Sequence, residues 1–128
     1  MKVVAIDHLV LTVASIARTV AFYERVLGMQ SRSFGPEGRV ALLFGAQKIN
    51  LHEVGHEFEP KALLARPGTA DLCFIVDDFD HIAAGLRAEN VAVLEGPAER
   101  MGARGKIRSI YLRDPDGNLI ELSSYDGV

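Results

Sequence analysis

The 128-residue sequence predicts an α+β domain of two βαβββ modules, forming a curved eight-stranded mixed sheet with the helices on its outer face. Three observations predict it. Strand-length apolar runs and one helical pattern occur in a fixed order, and that order restarts near residue 70. Each helical pattern opens on a capping residue, Ser15 in one half and Asp78 in the other. Finally, "DHLVLTVASIARTVAFYERV" lies along "ADLCFIVDDFDHIAAGLRAE", setting His8 over Asp71 and Ser15 over Asp78. One domain, 1–128, is therefore expected to hold module one at about 1–60 and module two at about 68–126.

The elements follow in order. Residues 3–13 are rich in Val, Ile and Leu and read as a buried strand. Ser15 caps an amphipathic helix whose apolar face carries Ile16, Val20, Tyr23 and Leu27, and Gly28 ends it. Residues 39–44 and 47–54 read as strands joined by Gly45-Ala46, and a loop with Pro60 and Pro67-Gly68 follows. In the second half, 70–77 is a strand, and Asp78 caps a helix marked by Phe79, Ile82 and Leu86. Strands follow at 91–94, 106–113 and 118–124, with "DPDG" as the turn between the last two.

Composition bounds the function. Hydrophobic residues at 48% and charged residues at 24% describe ordinary globular material. A net charge of −3 argues against a nucleic-acid partner. The lone Cys73 sits in an apolar run, is expected as inert core packing, and favours a reducing compartment. Apolar runs all fall short of the roughly 18–20 residues of a membrane span. The N-terminal segment reads as a strand, not a signal, because Asp7 and His8 interrupt it. A cytoplasmic protein with no membrane partner is expected.

"LHEVGHEFEP" contains His52-Glu53-Val54-Gly55-His56, the H-E-x-x-H of zinc proteases. That motif works on a helix, where i and i+4 point at one metal. Here His52 ends a strand, and Gly55 and Pro60 leave no room for a long helix. His56 and His81 therefore read as surface residues. The repeat gives His52 another use: a slightly larger offset in the later strands sets it over Glu121. His8, Asp71, His52 and Glu121 then interrupt apolar strands at matching places, where burying them unpaired would be costly. Singly, a strand histidine is more often a hydrogen-bonded structural residue, Asp71 could cap a loop and Glu121 could face water. Together they are a donor set for Fe, Mn, Ni, Co or Zn in the +2 state. The basic, glycine-rich "ERMGARGK" offers Arg100, Arg104 and Lys106 to an anionic substrate, or else is a solvated hairpin loop.

The "DHLVLTV" start and the "YLRDPDGNLIELSSY" end resemble the vicinal oxygen chelate superfamily of glyoxalases, bleomycin resistance proteins and extradiol dioxygenases. "GTADLCFIV" and "GPAERMGARGKIRSIYLRDPDGNLIE" carry a particular likeness to the glyoxalase domain-containing protein 5 group and bacterial virulence-associated relatives. The resemblance implies one divalent metal ion held by His8, His52 and Glu121, with Asp71 at a variable fourth place. It also implies a small-molecule substrate and a homodimer that often completes the metal site. Tyr111 and Glu121 fit the later part of the dioxygenase signature, but its upstream histidine would fall at Gly102, Ala103 or Arg104. A fosfomycin transferase would carry threonine where Val10 stands. The expected function is a metal-dependent lyase or isomerase of glyoxalase type, working through a metal-stabilised enediolate. Glu121, Asp71 and Tyr111 are its catalytic candidates. An extradiol dioxygenase, or a small-molecule binding protein on the same scaffold, is the alternative.

Overall fold

The computed structural model describes residues 1–127, in two compact units that divide between Gly68 and Thr69. Each is a βαβββ module of α+β class, so the eight strands are divided into two four-stranded mixed sheets. No helix among the described residues is long and apolar enough to cross a membrane.

In module one, β1 (His8–Val13) pairs in parallel with β4 (Gln47–Glu53), and β3 (Arg39–Phe44) and β2 (Gln30–Phe34) continue the sheet antiparallel. Strand alternation sends Leu11, Val13, Ile49, Leu51 and Leu42 to one face, where they are buried. Helix α1 (Ile16–Leu27) lies on that face and buries Thr19, Phe22 and Tyr23. Its start is fixed twice. The Ser15 hydroxyl accepts from the Arg18 amide, and Glu53 on β4 accepts from the Ile16 amide at 3.0 Å. Its end is fixed by Gly28 at φ 66, a left-handed conformation that glycine adopts without penalty.

In module two, β5 (Asp71–Ile75) pairs in parallel with β8 (Leu119–Ser124), followed by β7 (Gly105–Arg113) and β6 (Glu95–Gly102). Ile110, Leu112, Ile120 and Leu122 are buried together with Phe79 and Leu86 of the helical segment. That segment is a 3-10 turn, Phe79–His81, running into α2 (Ile82–Ala88).

Several sequence expectations are corrected. The first strand begins at His8, because β4 offers ladder partners only from Lys48 onward. The edge strand β2 was not anticipated: "QSRSF" has neither the alternation nor the apolar content that marks a strand. The strand expected at 91–94 lies instead at Glu95–Gly102, where β7 supplies its ladder, and it accommodates Pro97 at a register shift on an edge. "ERMGARGK" is the tip of a hairpin turning at Ala103-Arg104, in line with the hairpin reading of that stretch. Asp78 makes no capping bond and instead pairs with His81 at 2.8 Å. That contact favours the charged imidazole, raising the pKa of His81. Cys73 is exposed rather than packed in the core, since its neighbours Leu72 and Phe74 take the helix-covered face.

Candidate functional site

Each sheet has a second face, opposite its helix, and the polar candidates lie there. In module one, alternation puts His8, Val10 and Thr12 of β1 beside Lys48, Asn50 and His52 of β4. In module two it puts Asp71 and Cys73 of β5 beside Leu119, Glu121 and Ser123 of β8.

The strand register corrects the repeat. His8 pairs with Lys48, two residues before Asn50, and Asp71 pairs with Leu119, two residues before Glu121. Asn50, not His52, is therefore the counterpart of Glu121. Two amide side chains support the same match. Gln47 donates to the Ile6 carbonyl at 3.0 Å, and Asn118 accepts from the Ala70 amide at 2.9 Å, each clamping the chain that enters the module's first strand. Sequence reasoning missed Asn50 because an amide carries no metal-ligand signature. The pairing register, which only the fold supplies, was needed to find it.

The DPDGN turn does the positioning in module two. Asp114 Oδ1 accepts from the Asp116 and Asn118 amides, and its Oδ2 accepts from the Asn118 carboxamide at 2.8 Å. Asn118 then reaches Ala70, while the Leu119 amide donates to the Ala70 carbonyl at 3.1 Å. Asp114 and Asn118 are both buried, so this knot fixes how β5 and β8 start together. That fixes Asp71 relative to Glu121.

Within each module the two members of a pair sit on adjacent parallel strands, offset by two residues or roughly 7 Å along the strand. Side chains at that offset can lean toward one ion. His8 and His52 are offset by four residues, roughly 13 Å, whereas two imidazole nitrogens on one ion stand within about 4 Å of each other. The register does not bring His8 and His52 together.

The donor chemistry fits a divalent ion in part. His8 Nδ1 is 2.7 Å from Asp7 Oδ2, leaving Nε2 free to coordinate. Asn50 Oδ1 is buried without a hydrogen-bond partner, as an oxygen facing a cation would be. Glu121 Oε1 accepts the Tyr111 hydroxyl at 2.9 Å. Among the described residues, however, no three His, Cys, Asp or Glu side chains are gathered as a metal cluster.

Around Glu121 the network is extended. Arg100 Nε donates to Tyr111 Oη at 3.1 Å, and Arg100 Nη2 reaches Glu95 at 2.7 Å. Burial pushes the Tyr111 phenol above its ordinary pKa, the Glu121 carboxylate adds to the rise, and Arg100 opposes it. Loss of solvation likewise pushes the Cys73 thiol up, against its contact with Ser123 at 3.3 Å, and Glu121 adds to that rise. A protonated thiol is a poor nucleophile. The other two basic candidates are engaged locally. Lys106 pairs with Glu99 at 3.2 Å, and the Arg104 guanidinium stacks 4.2 Å over Tyr125.

His52 is 5% exposed, with its ring 5.6 Å from Phe58 and its Nδ1 unpartnered. Burial, then the Arg39 charge, lowers its pKa. The residue sits on β4, and His56 is exposed beyond the strand end, so the protease motif has no helix to act from.

The family model of the Glyoxalase/Bleomycin resistance protein/Dioxygenase superfamily matches residues 5–122. The chain belongs to that superfamily. It is 54% identical over 121 residues to Virulence protein STM3117 of Salmonella typhimurium, covering 94% of this chain and 83% of that protein. It is 53% identical over 126 residues to Glyoxalase domain-containing protein RDO1 of Mycosarcoma maydis, covering 98% and 70%. A solved protein from the mobile metagenome of V. pseudocholerae superposes with a TM-score of 0.96 at 58% identity, covering 99% and 98%. Three more distant structures share the fold. They are lactoylglutathione lyase from Agrobacterium tumefaciens (24% identity, TM-score 0.70, 97% of each chain), the antibiotic-binding protein TnmS3 from Streptomyces (24%, 0.74, 97% and 98%) and the Mn(II)-bound fosfomycin resistance protein FosX from Listeria monocytogenes (21%, 0.64, 94% and 90%).

Proposed function

We propose that this protein is a metal-dependent lyase or isomerase of glyoxalase type, acting on a small substrate with two adjacent oxygens. The observation that carries the proposal is the matched stagger of His8 with Asn50 and of Asp71 with Glu121, together with the unpartnered Asn50 Oδ1. The metal ligands are drawn from these four residues, in place of the set His8, His52 and Glu121. Two carboxylates, one imidazole and one amide oxygen suit Mn, Fe, Co, Ni or Zn. When bound, the ion supplies Lewis acidity to the two substrate oxygens.

The chain's own residues do the rest. Glu121 or Asp71 moves a proton between adjacent carbons. For Glu121 the Tyr111 hydroxyl, donating to Oε1, holds the carboxylate in place for that role. The dioxygenase alternative lacks support where it needs a histidine. A Cβ at Gly102 would lie 2.6 Å from the Tyr125 hydroxyl and 3.0 Å from Ile107, and Ala103-Arg104 form the hairpin turn.

The proposal includes a homodimer. Val10 is 46% and Ile75 57% exposed on the two open faces, apolar surface that association would remove from water. Metal binding is therefore expected of the assembled protein and not of an isolated module. Sedimentation at micromolar concentration should give a dimer; a monomer alone would remove this part.

The reaction class is tested by deuterium exchange and turnover on a 2-oxoaldehyde–thiol adduct, with metal and after chelation. Metal-dependent exchange, lost in Glu121→Gln, is expected. Stoichiometric oxygen uptake with catechols by the iron-loaded protein would instead establish ring cleavage. Metal-dependent binding of such ligands with no exchange would establish a binding protein.

A further inference from the structure

We infer that Arg100 is a positioning residue that fixes the orientation of Glu121 through Tyr111, and that it is not a substrate-binding cation. The inference rests on the role proposed for Glu121. A guanidinium only donates hydrogen bonds. Arg100 Nε donates to Tyr111 Oη at 3.1 Å, so that oxygen acts as acceptor toward Arg100 and its own hydrogen is left for another partner. The partner is Glu121 Oε1, at 2.9 Å. The direction of the chain is thus set at its far end: Arg100 gives, Tyr111 relays, and Glu121 receives.

Arg100 is itself anchored. Nη2 reaches Glu95 Oε1 at 2.7 Å, and Nη1 donates to the Glu99 carbonyl at 2.9 Å. All three nitrogens of the fork are engaged within module two, leaving little of it for an anionic substrate. The β ladder explains why these residues meet. Glu95 opposes Tyr111, Tyr111 opposes Glu121, and the register shift between Glu95 and Ala98 carries the strand on to Arg100.

Two consequences follow. Glu121 has one oxygen, Oε1, committed as an acceptor, which holds its carboxylate plane. The Tyr111 hydrogen is committed to Glu121, so Tyr111 positions that carboxylate and does not deliver a proton to substrate. Groups that orient a ligand in this way typically change metal affinity by about 10- to 100-fold when removed.

The test is Mn(II) affinity of the whole, chelator-stripped chain, measured by calorimetry for the parent, E121A, Y111F, R100Q and the Y111F/R100Q pair. Thermal unfolding of each checks folding. The Arg100 side chain is 38% exposed, so R100Q leaves the core intact. Y111F is expected to weaken binding about tenfold or more and R100Q several-fold, with the double variant no weaker than Y111F. R100Q binding as the parent does, or adding its full effect to that of Y111F, would overturn the inference while E121A still loses affinity. E121A binding as the parent does would overturn the reading of Glu121 itself, and the role of Arg100 with it.

Discussion

At Asn50 a carboxamide stands where the register of the second module places a carboxylate, and its oxygen is buried without a partner. Burying an unsatisfied acceptor costs about 1–3 kcal/mol, a cost that a bound cation would offset. Asn50→Leu should therefore leave folding in chelator at least as stable as the parent, while lowering Mn(II) affinity about tenfold or more. Urea unfolding in chelator and calorimetry with metal check the two halves separately. His52 calls for a different outcome. Its Nδ1 is unpaired and its ring packs on Phe58, so His52→Leu exchanges a buried, unsatisfied imidazole for an apolar side chain of similar reach. Its stability should stay within about 1 kcal/mol of the parent, since removing an unsatisfied group costs little. A loss of several kcal/mol would mean that the nitrogen holds a partner essential to the fold.

Among the elements, the turn from Asp114 to Asn118 does for register what Ser15 does for a helix start. Asn118→Ala would remove the carboxamide bond to Asp114 Oδ2 and leave the Ala70 amide without its acceptor. It should cost about 2–3 kcal/mol, lowering the denaturation midpoint by several degrees. Ser15→Ala should cost about 1 kcal/mol, the worth of one cap. Gly96→Ala should be among the worst single changes, about 3 kcal/mol or more. At φ 101 its backbone favours glycine, and a Cβ would run into the Ser109 carbonyl oxygen. Chemical denaturation checks all three.

These elements also show what the sequence makes legible. Helix α1 could be read because its period, its Ser15 cap and its Gly28 stop are all local. The β4 and β8 strands could be read from their apolar runs. β2 could not, since an edge strand with exposed "QSRSF" leaves no apolar trace. β6 was displaced because its ladder is set by β7, a non-local partner. The proposed site divides along the same line. His8, Asp71 and Glu121 announced themselves by residue type, while Asn50 required the pairing register, and a two-residue slip put His52 in its place.

At the scale of the molecule, the sequence repeats one module, and each copy places a pair of donors at the same stagger on its open face. The superfamily is established by the match over residues 5–122, and relatives of the same fold include a lyase and an antibiotic-binding protein. Fold alone does not choose among such activities. The choice rests on whether those donors hold an ion. The most direct measurement is Mn(II) titration of the chelator-stripped chain, read as stoichiometry and affinity, for the parent, His8→Ala, Asn50→Leu, His52→Leu and Glu121→Ala. The account predicts one ion per chain in the parent and in His52→Leu, with affinity largely lost in the other three. Binding abolished by His52→Leu and untouched by Asn50→Leu would contradict it.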